Sequence, residues 1–297
     1  MVSPGEGRHV AVVTDSTASL PPGLIGHPCL TVVPLYVVVD GVTYREGVDL
    51  APDQLLEALR SGARVSTSQP GPEVFARAYA RAAARGAREI VSVHLSGDLS
   101  GTVDSAGLAA QTTGVPVKVV DSRTVGMGLG FAVLAAVLAA TEGSDTGSAA
   151  HGAAVARAAR SHATSSTVHF AVDTLEHLRR GGRLGAVSAA VGTVLGLRPV
   201  LAVVGGRIDV VEKVRTSERA RTRVVELAAQ DVAVRRSHCD VAVHHVGDPD
   251  LGRLVADRLV AVCGNRLGRV EVAEISAVVA AHVGPGLVAV VVTDTVA

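Results

Sequence analysis

"EIVSVHLSGDLSGT", residues 89–102, sets an apolar β-branched run directly against a loop of two Ser-Gly pairs and a threonine. The run reads as a buried strand. The loop behind it either leaves amides and hydroxyls open to a small anion or exposes a nucleophile. The same pattern recurs along the first half of the chain. "HVAVVTD" (9–15) ends in Asp15-Ser16-Thr17, "LTVVPLYVVVD" (30–40) reads as one longer strand with Pro34 at an edge or bend, and "VKVVD" (117–121) ends at Asp121-Ser122. Between these lie helical stretches. "PDQLLEALR" (52–60) and "PEVFARAYARAAARG" (72–86) each open on proline, and the apolar "GLGFAVLAAVLAAT" (128–141) follows. Strands separated by helices predict βαβ units and a mostly parallel, Rossmann-like sheet covered on both faces.

The second half has a different character. "VHFAVDT" (168–174) leads through a helix ending in "LRRGGR" (178–183) to "RPVLAVVGGRIDVVEKV" (198–214), where Gly205-Gly206 predicts a hairpin with a primed turn. Strands at 240–246, 269–275 and 287–294 alternate with helices near 217–229 and 250–263. The expected fold is therefore two α/β domains, residues 8–165 with the parallel sheet and 166–297 with a mixed one.

The 297 residues carry 28 basic and 28 acidic side chains, which gives no bulk attraction for nucleic acid or an anionic membrane. Three scattered cysteines without a CxxC argue against a disulfide framework and a zinc site, and fit a reducing, cytoplasmic setting. The N-terminus lacks the pattern of a signal peptide, and the most apolar window, 184–204, is broken by Arg198-Pro199 and glycines. No stable membrane insertion is expected.

Four polar clusters stand at strand ends: 14–17, 66–70, 96–102 and 121–122. Loops at the carboxyl ends of parallel strands converge on one crevice, where hydroxyls and helix N-termini suit a carboxylate or phosphate. Taken singly, each cluster also reads as ordinary helix capping. A hydrolase elbow requires G-x-S-x-G, which the frame Gly97-Asp98-Leu99-Ser100-Gly101 does not supply. "GMGLGF" (126–131) puts Phe131 where a dinucleotide loop needs its third glycine, and no Walker motif occurs, so no cofactor is expected. The adjacent His244 and His245 would point to opposite faces of a strand and make a poor metal chelate. His282, in "AHVGPG", reads as a turn histidine.

Together, "VTDSTASLP" (13–21), "STSQPGPEVF" (66–75), "LSGDLSGTVDSA" (95–106), "LEHLRRGGRLG" (175–185) and "AAHVGPGLVAVVV" (280–292) resemble the DegV family of bacterial fatty-acid-binding proteins, in order and over nearly the whole chain. The resemblance implies a long-chain fatty acid buried between two α/β domains. It implies a carboxylate held by Thr67, Ser100 with the Gly101 amide, Arg215 and His282. It also implies a partner fatty acid kinase that phosphorylates the bound acyl group to an acyl phosphate for phospholipid synthesis, with "LRRGGR" a candidate docking surface. A lipid carrier without chemistry of its own follows; the alternative is an esterase using Ser100 and His282. Residues 130–140 and 189–197 are candidate tunnel walls. Asp98 departs from the family's S-S-x-L-S-G-T pattern and places a carboxylate beside the expected anion site.

Overall fold

The computed structural model describes residues 10–142, 151–184 and 197–296. β1 (Val10–Asp15), β2 (Leu30–Val33), β6 (Glu89–His94) and β7 (Val117–Asp121) form a parallel sheet in the order β2-β1-β6-β7. Alternation along its strands divides the core. Ala11, Val13 and Ile90 pack with Phe75, Tyr79 and Ala106 of α2 (Pro72–Ala84) and α3 (Thr102–Ala110). Val10, Val12, Val91 and Val93 belong to the opposite cluster with Leu129, Phe131 and Val133 of α4 (Met127–Glu142). A sheet buried on both faces needs continuous apolar strands, which explains the β-branched runs. α4 is apolar all round because it lies between sheets, touching β1 and β6 on one side and β13 (Val288–Asp294) on the other.

The stretch 30–40 is not one strand. Pro34 follows the end of β2, and the chain re-enters as β3 (Tyr36–Val39) in a separate antiparallel sheet, β4-β3-β5. Asp40 and Gly41 both take positive φ (48° and 86°), the conformation of a primed turn, and hand over to β4 (Val42–Arg45). After α1 (Pro52–Ser61), β5 (Val65–Ser68) returns along β3, with Thr67 opposite Val37.

The second half, from β8 (Thr167–Ala171) onward, builds a mixed six-stranded sheet in the order β10-β9-β8-β13-β11-β12. Its members include β9 (Arg198–Val204), β10 (Arg207–Val214), β11 (Cys239–His245) and β12 (Leu267–Glu274). Gly205 and Gly206 turn β9 into β10 at φ 55° and 91°, as the sequence predicts. α5 (His151–Ser165) precedes this sheet, α6 (Glu176–Arg180) follows β8, and α7 (Ser217–Val234) and α8 (Pro249–Cys263) cover it. No strand of the first half joins this sheet among the described residues. A last short helix, α9 (Ala277–Val283), leaves it and packs on β3, β5, α1 and α6. Among the described residues, no helix is long and apolar enough to cross a membrane.

Candidate functional site

α9 is the element that assembles the site. Ser276 caps it by accepting the N–H of Val279, and Gly284 ends it at φ 74°. Val278, Val279, His282 and Val283 share one face of the helix. That face looks into a cavity of about 270 Å³ enclosed with β5, the 94–102 loop and β10. Leu35, Leu95, Leu99, Val125, Ile208 and Val278 make most of the wall apolar, while Thr67, Ser68, Gln69, Ser100, Arg183 and His282 are its polar residues.

Thr67 Oγ1 lies 2.8 Å from His282 Nε2, joining β5 to α9. Burial, with the nearby Arg183 charge a lesser cause, pushes the His282 pKa down to about 4, so the ring is neutral at pH 7. Gly181 permits this approach: a Cβ there would stand 2.1 Å from His282 Nδ1. Arg183 follows α6 and donates from Nε to Leu99 O (3.1 Å) and from a terminal nitrogen to Gly181 O, which fixes its head beside the serine loop. Ser100 Oγ is 2.9 Å from Thr102 Oγ1 and also receives the Thr102 N–H, a local turn at the start of α3.

Buried polar groups hold this frame. Asp15, fully buried, accepts from Thr17 through one carboxylate oxygen. Its other oxygen meets the Leu95 N–H (3.1 Å) and His94 Nδ1 (2.9 Å). His94 Nε2 continues to Ser92 Oγ (2.6 Å), which the Tyr79 hydroxyl also reaches. This Asp-His-Ser row ties β1 to the root of the serine loop, but its members are all fully buried and outside the cavity wall. Glu46 accepts the Val278 N–H (2.9 Å) and the Ser16 hydroxyl, and Ser16 Oγ accepts from Leu35 N–H (2.9 Å). Burial raises the Glu46 pKa.

A sequence model described as "Uncharacterised protein, DegV family" matches residues 9–295. The chain belongs to the DegV family. A DegV domain-containing protein of Streptomyces coelicolor is 45% identical over 97% of this chain and 99% of its own length. A DegV domain-containing protein of Deinococcus radiodurans is 38% identical, with 95% and 97% covered. Among solved structures, a fatty-acid-binding DegV protein of Thermus thermophilus superposes with a TM-score of 0.86 at 36% identity, covering 97% of this chain and all of that one. DegV of Bacillus subtilis, a fatty acid binding protein, gives 0.86 at 27% identity with the same coverage.

Of the five residues expected in the site of this DegV-family chain, Thr67, Ser100 and His282 line one cavity. Gly101 adjoins Ser100 and lies against the Gln69 side chain, where a Cβ would sit 2.5 Å from Oε1. Arg215 does not join them. It is exposed just past the end of β10, whereas the cavity meets that hairpin near its tip, at Ile208. Seven residues of extended chain separate the two, roughly 23 Å. Among the described residues, the cation at the cavity is Arg183, which the sequence offers within "LRRGGR" as part of a docking surface. The other two arginines there, Arg179 and Arg180, are exposed and pair with Glu176.

Asp98 turns toward protein rather than toward the cavity. Its carboxylate meets Arg207 (2.8 Å) and Arg123 (3.4 Å), while Ser96 Oγ donates to Gly206 O (2.7 Å) and Arg123 to Gly205 O. The departure from the family pattern thus clasps the serine loop to the β9–β10 tip. Of the two expected tunnel walls, 189–196 lie outside the described residues, and no residue of 130–140 lines the cavity, because that helix is core between the sheets.

Proposed function

We propose that the chain binds a long-chain fatty acid, with its carboxylate at the polar end of this cavity and its tail along the apolar wall. The observation that carries this reading is the meeting of Thr67, Ser100, Arg183 and neutral His282 in a cavity whose other described lining residues, apart from Ser68 and Gln69, are aliphatic. A carboxylate leaves water only against charge-assisted or multiple hydrogen bonds. Arg183 supplies the charge. His282 with Nε2 protonated donates to Thr67 and frees the threonine hydroxyl for a carboxylate oxygen, and Ser100 with the Gly101 amide completes the set. The tail contributes at most about 0.8 kcal/mol per buried methylene. The solved fatty-acid-binding relatives support the same ligand class.

The carrier role follows: the protein presents the carboxylate to a fatty acid kinase for conversion to acyl phosphate, in a cytoplasmic setting. The esterase alternative finds less support. Ser100 Oγ engages Thr102 and His282 Nε2 engages Thr67, so serine and histidine are not set as nucleophile and base.

Native mass spectrometry of gently purified protein, followed by organic extraction, tests the ligand. A stoichiometric fatty acid is the expected result. Protein that arrives empty and takes up no added fatty acid would refute the proposal. Acyl phosphate formed only when loaded protein, a fatty acid kinase and its phosphoryl donor are combined tests the carrier role.

A further inference from the structure

A second, larger hollow of about 710 Å³ lies behind the wall of the first. Glu46 lines it, and its carboxylate holds Val278 of the first cavity from behind, so the two share a wall without sharing a lining residue. One side is the segment 15–25 and the turn 46–52; the other is the end of β12, Glu271–Glu274. Three features coincide here. Ile25, Val48 and Val272, all on the rim, rank among the exposed large apolar side chains of the protein, at 59%, 60% and 36% exposure. β12 is the last strand of its sheet, paired with β11 alone among the described residues, so its outer edge has no strand neighbour. Among the described residues, the ionisable side chains lining the hollow are Asp15, Glu46, Glu271 and Glu274, with no lysine or arginine.

An unpaired strand edge beside an apolar trough is a template for one more strand. Aliphatic side chains left exposed on a rim mark a surface that is covered by a partner. The charge of that partner is set by the carboxylates. Among the described residues Glu271 pairs with one distant cation, Arg269 at 3.9 Å, and Glu274 spends one oxygen on the Gly247 N–H. An acidic incoming strand would meet repulsion there, and a basic one attraction.

We propose that this groove is a docking site for an extended peptide segment of a partner protein, in which aliphatic residues alternate with lysine or arginine and which pairs along the free edge of β12. Side chains on one face of the added strand would fill the trough beside Ile25 and Val48, on the side of Glu271, and the basic ones would lie on the other face, where alternation along β12 sets Val272 and Glu274. The site is independent of the fatty acid reading, because it uses no residue of the first cavity.

The test is panning of random ten-residue peptides displayed on phage against the immobilised full-length protein. The expected outcome is enrichment of alternating aliphatic-basic sequences. A synthetic peptide of the enriched sequence should slow amide exchange over residues 270–276. Its binding should fall at least tenfold in Glu271→Lys/Val272→Lys, a variant changed at the rim alone, and should weaken with rising salt. Methylating every second peptide nitrogen should abolish binding in one register and spare it in the other. No enrichment, enriched peptides indifferent to the double substitution, or protection confined to other strands would each overturn the proposal.

Discussion

Replacing Arg183 by Gln and, separately, Arg215 by Gln separates the arginine at the cavity from the one expected there on resemblance. Arg183 already spends its Nε–H and one terminal N–H on Leu99 O and Gly181 O, so three of its five donors remain and the side-on clamp that pairs Nε with a terminal nitrogen is closed to a carboxylate. A hydrogen bond to a charged group contributes about 1.5–3 kcal/mol, and a single one belongs at the lower end. A loss of about 1.5–2 kcal/mol raises the fatty acid Kd roughly 10- to 30-fold. Arg215 is exposed and stands roughly 23 Å along the strand from Ile208, several Debye lengths at physiological salt, so its loss should leave Kd within about twofold. The assay is displacement of a fluorescent fatty acid from delipidated protein, with thermal unfolding recorded on the same samples. Because Arg183 also ties down the serine loop, Arg183→Lys, which keeps the charge, serves as control and should recover part of the affinity. Equal weakening by both Gln variants, or none by Arg183→Gln in protein that remains folded, would refute the placement of the carboxylate.

Asp98→Asn loosens the clasp on the hairpin tip. Arg207 and Arg123 are 74% and 57% exposed, so the pairs contribute at most about 1 kcal/mol. Stopped-flow release of a bound acyl chain should quicken up to about fivefold and lose its salt dependence, with little change in Tm. Phe131→Ala, at a fully buried side chain of the helix between the sheets, should cost about 3–5 kcal/mol in urea unfolding. Acid should destabilise the ligand-free protein from about pH 6.5 downward. Burial holds both His244 and His282 near a pKa of about 4, against 6.5 for an unhindered ring. Unfolding therefore takes up protons below about pH 6.5, and each ring removes up to about 1.4 kcal/mol of stability per pH unit until pH approaches 4. His244→Gln should reduce that slope by up to one proton. Bound fatty acid should reduce it too, since a carboxylate beside His282 favours the charged ring.

The parallel sheet, its helices and the Gly205-Gly206 hairpin were legible because their signals are local: β-branched runs, helix-opening prolines, a pair of glycines. The small sheet was not, although Asp40-Gly41 is a strong hairpin dipeptide. The apolar run from 30 to 40 hides that Pro34 passes the chain from one sheet to another, which only the packing of α9 on β3 and β5 settles. α9 itself is seven residues long, too short for a helical period to separate from an apolar turn, so in sequence His282 reads as a turn histidine. Arg183 was missed for a related reason. Three arginines in "LRRGGR" look alike in sequence, and the one that faces inward is picked out by Leu99 O and Gly181 O. Thr67, Ser100 and His282, which the fold brings to one cavity, are connected in sequence only by their motifs, since distances of 33 and 182 residues carry no periodicity at all.

The bond between Thr67 and His282 spans 215 residues. At a synthesis rate of about 5–20 residues per second, roughly 10–45 s pass on the ribosome between the two halves of that contact. During that interval Leu35, Leu95 and Leu99 lack the α9 face that later closes over them. The parallel sheet can form meanwhile, but the cavity cannot close until α9 has emerged.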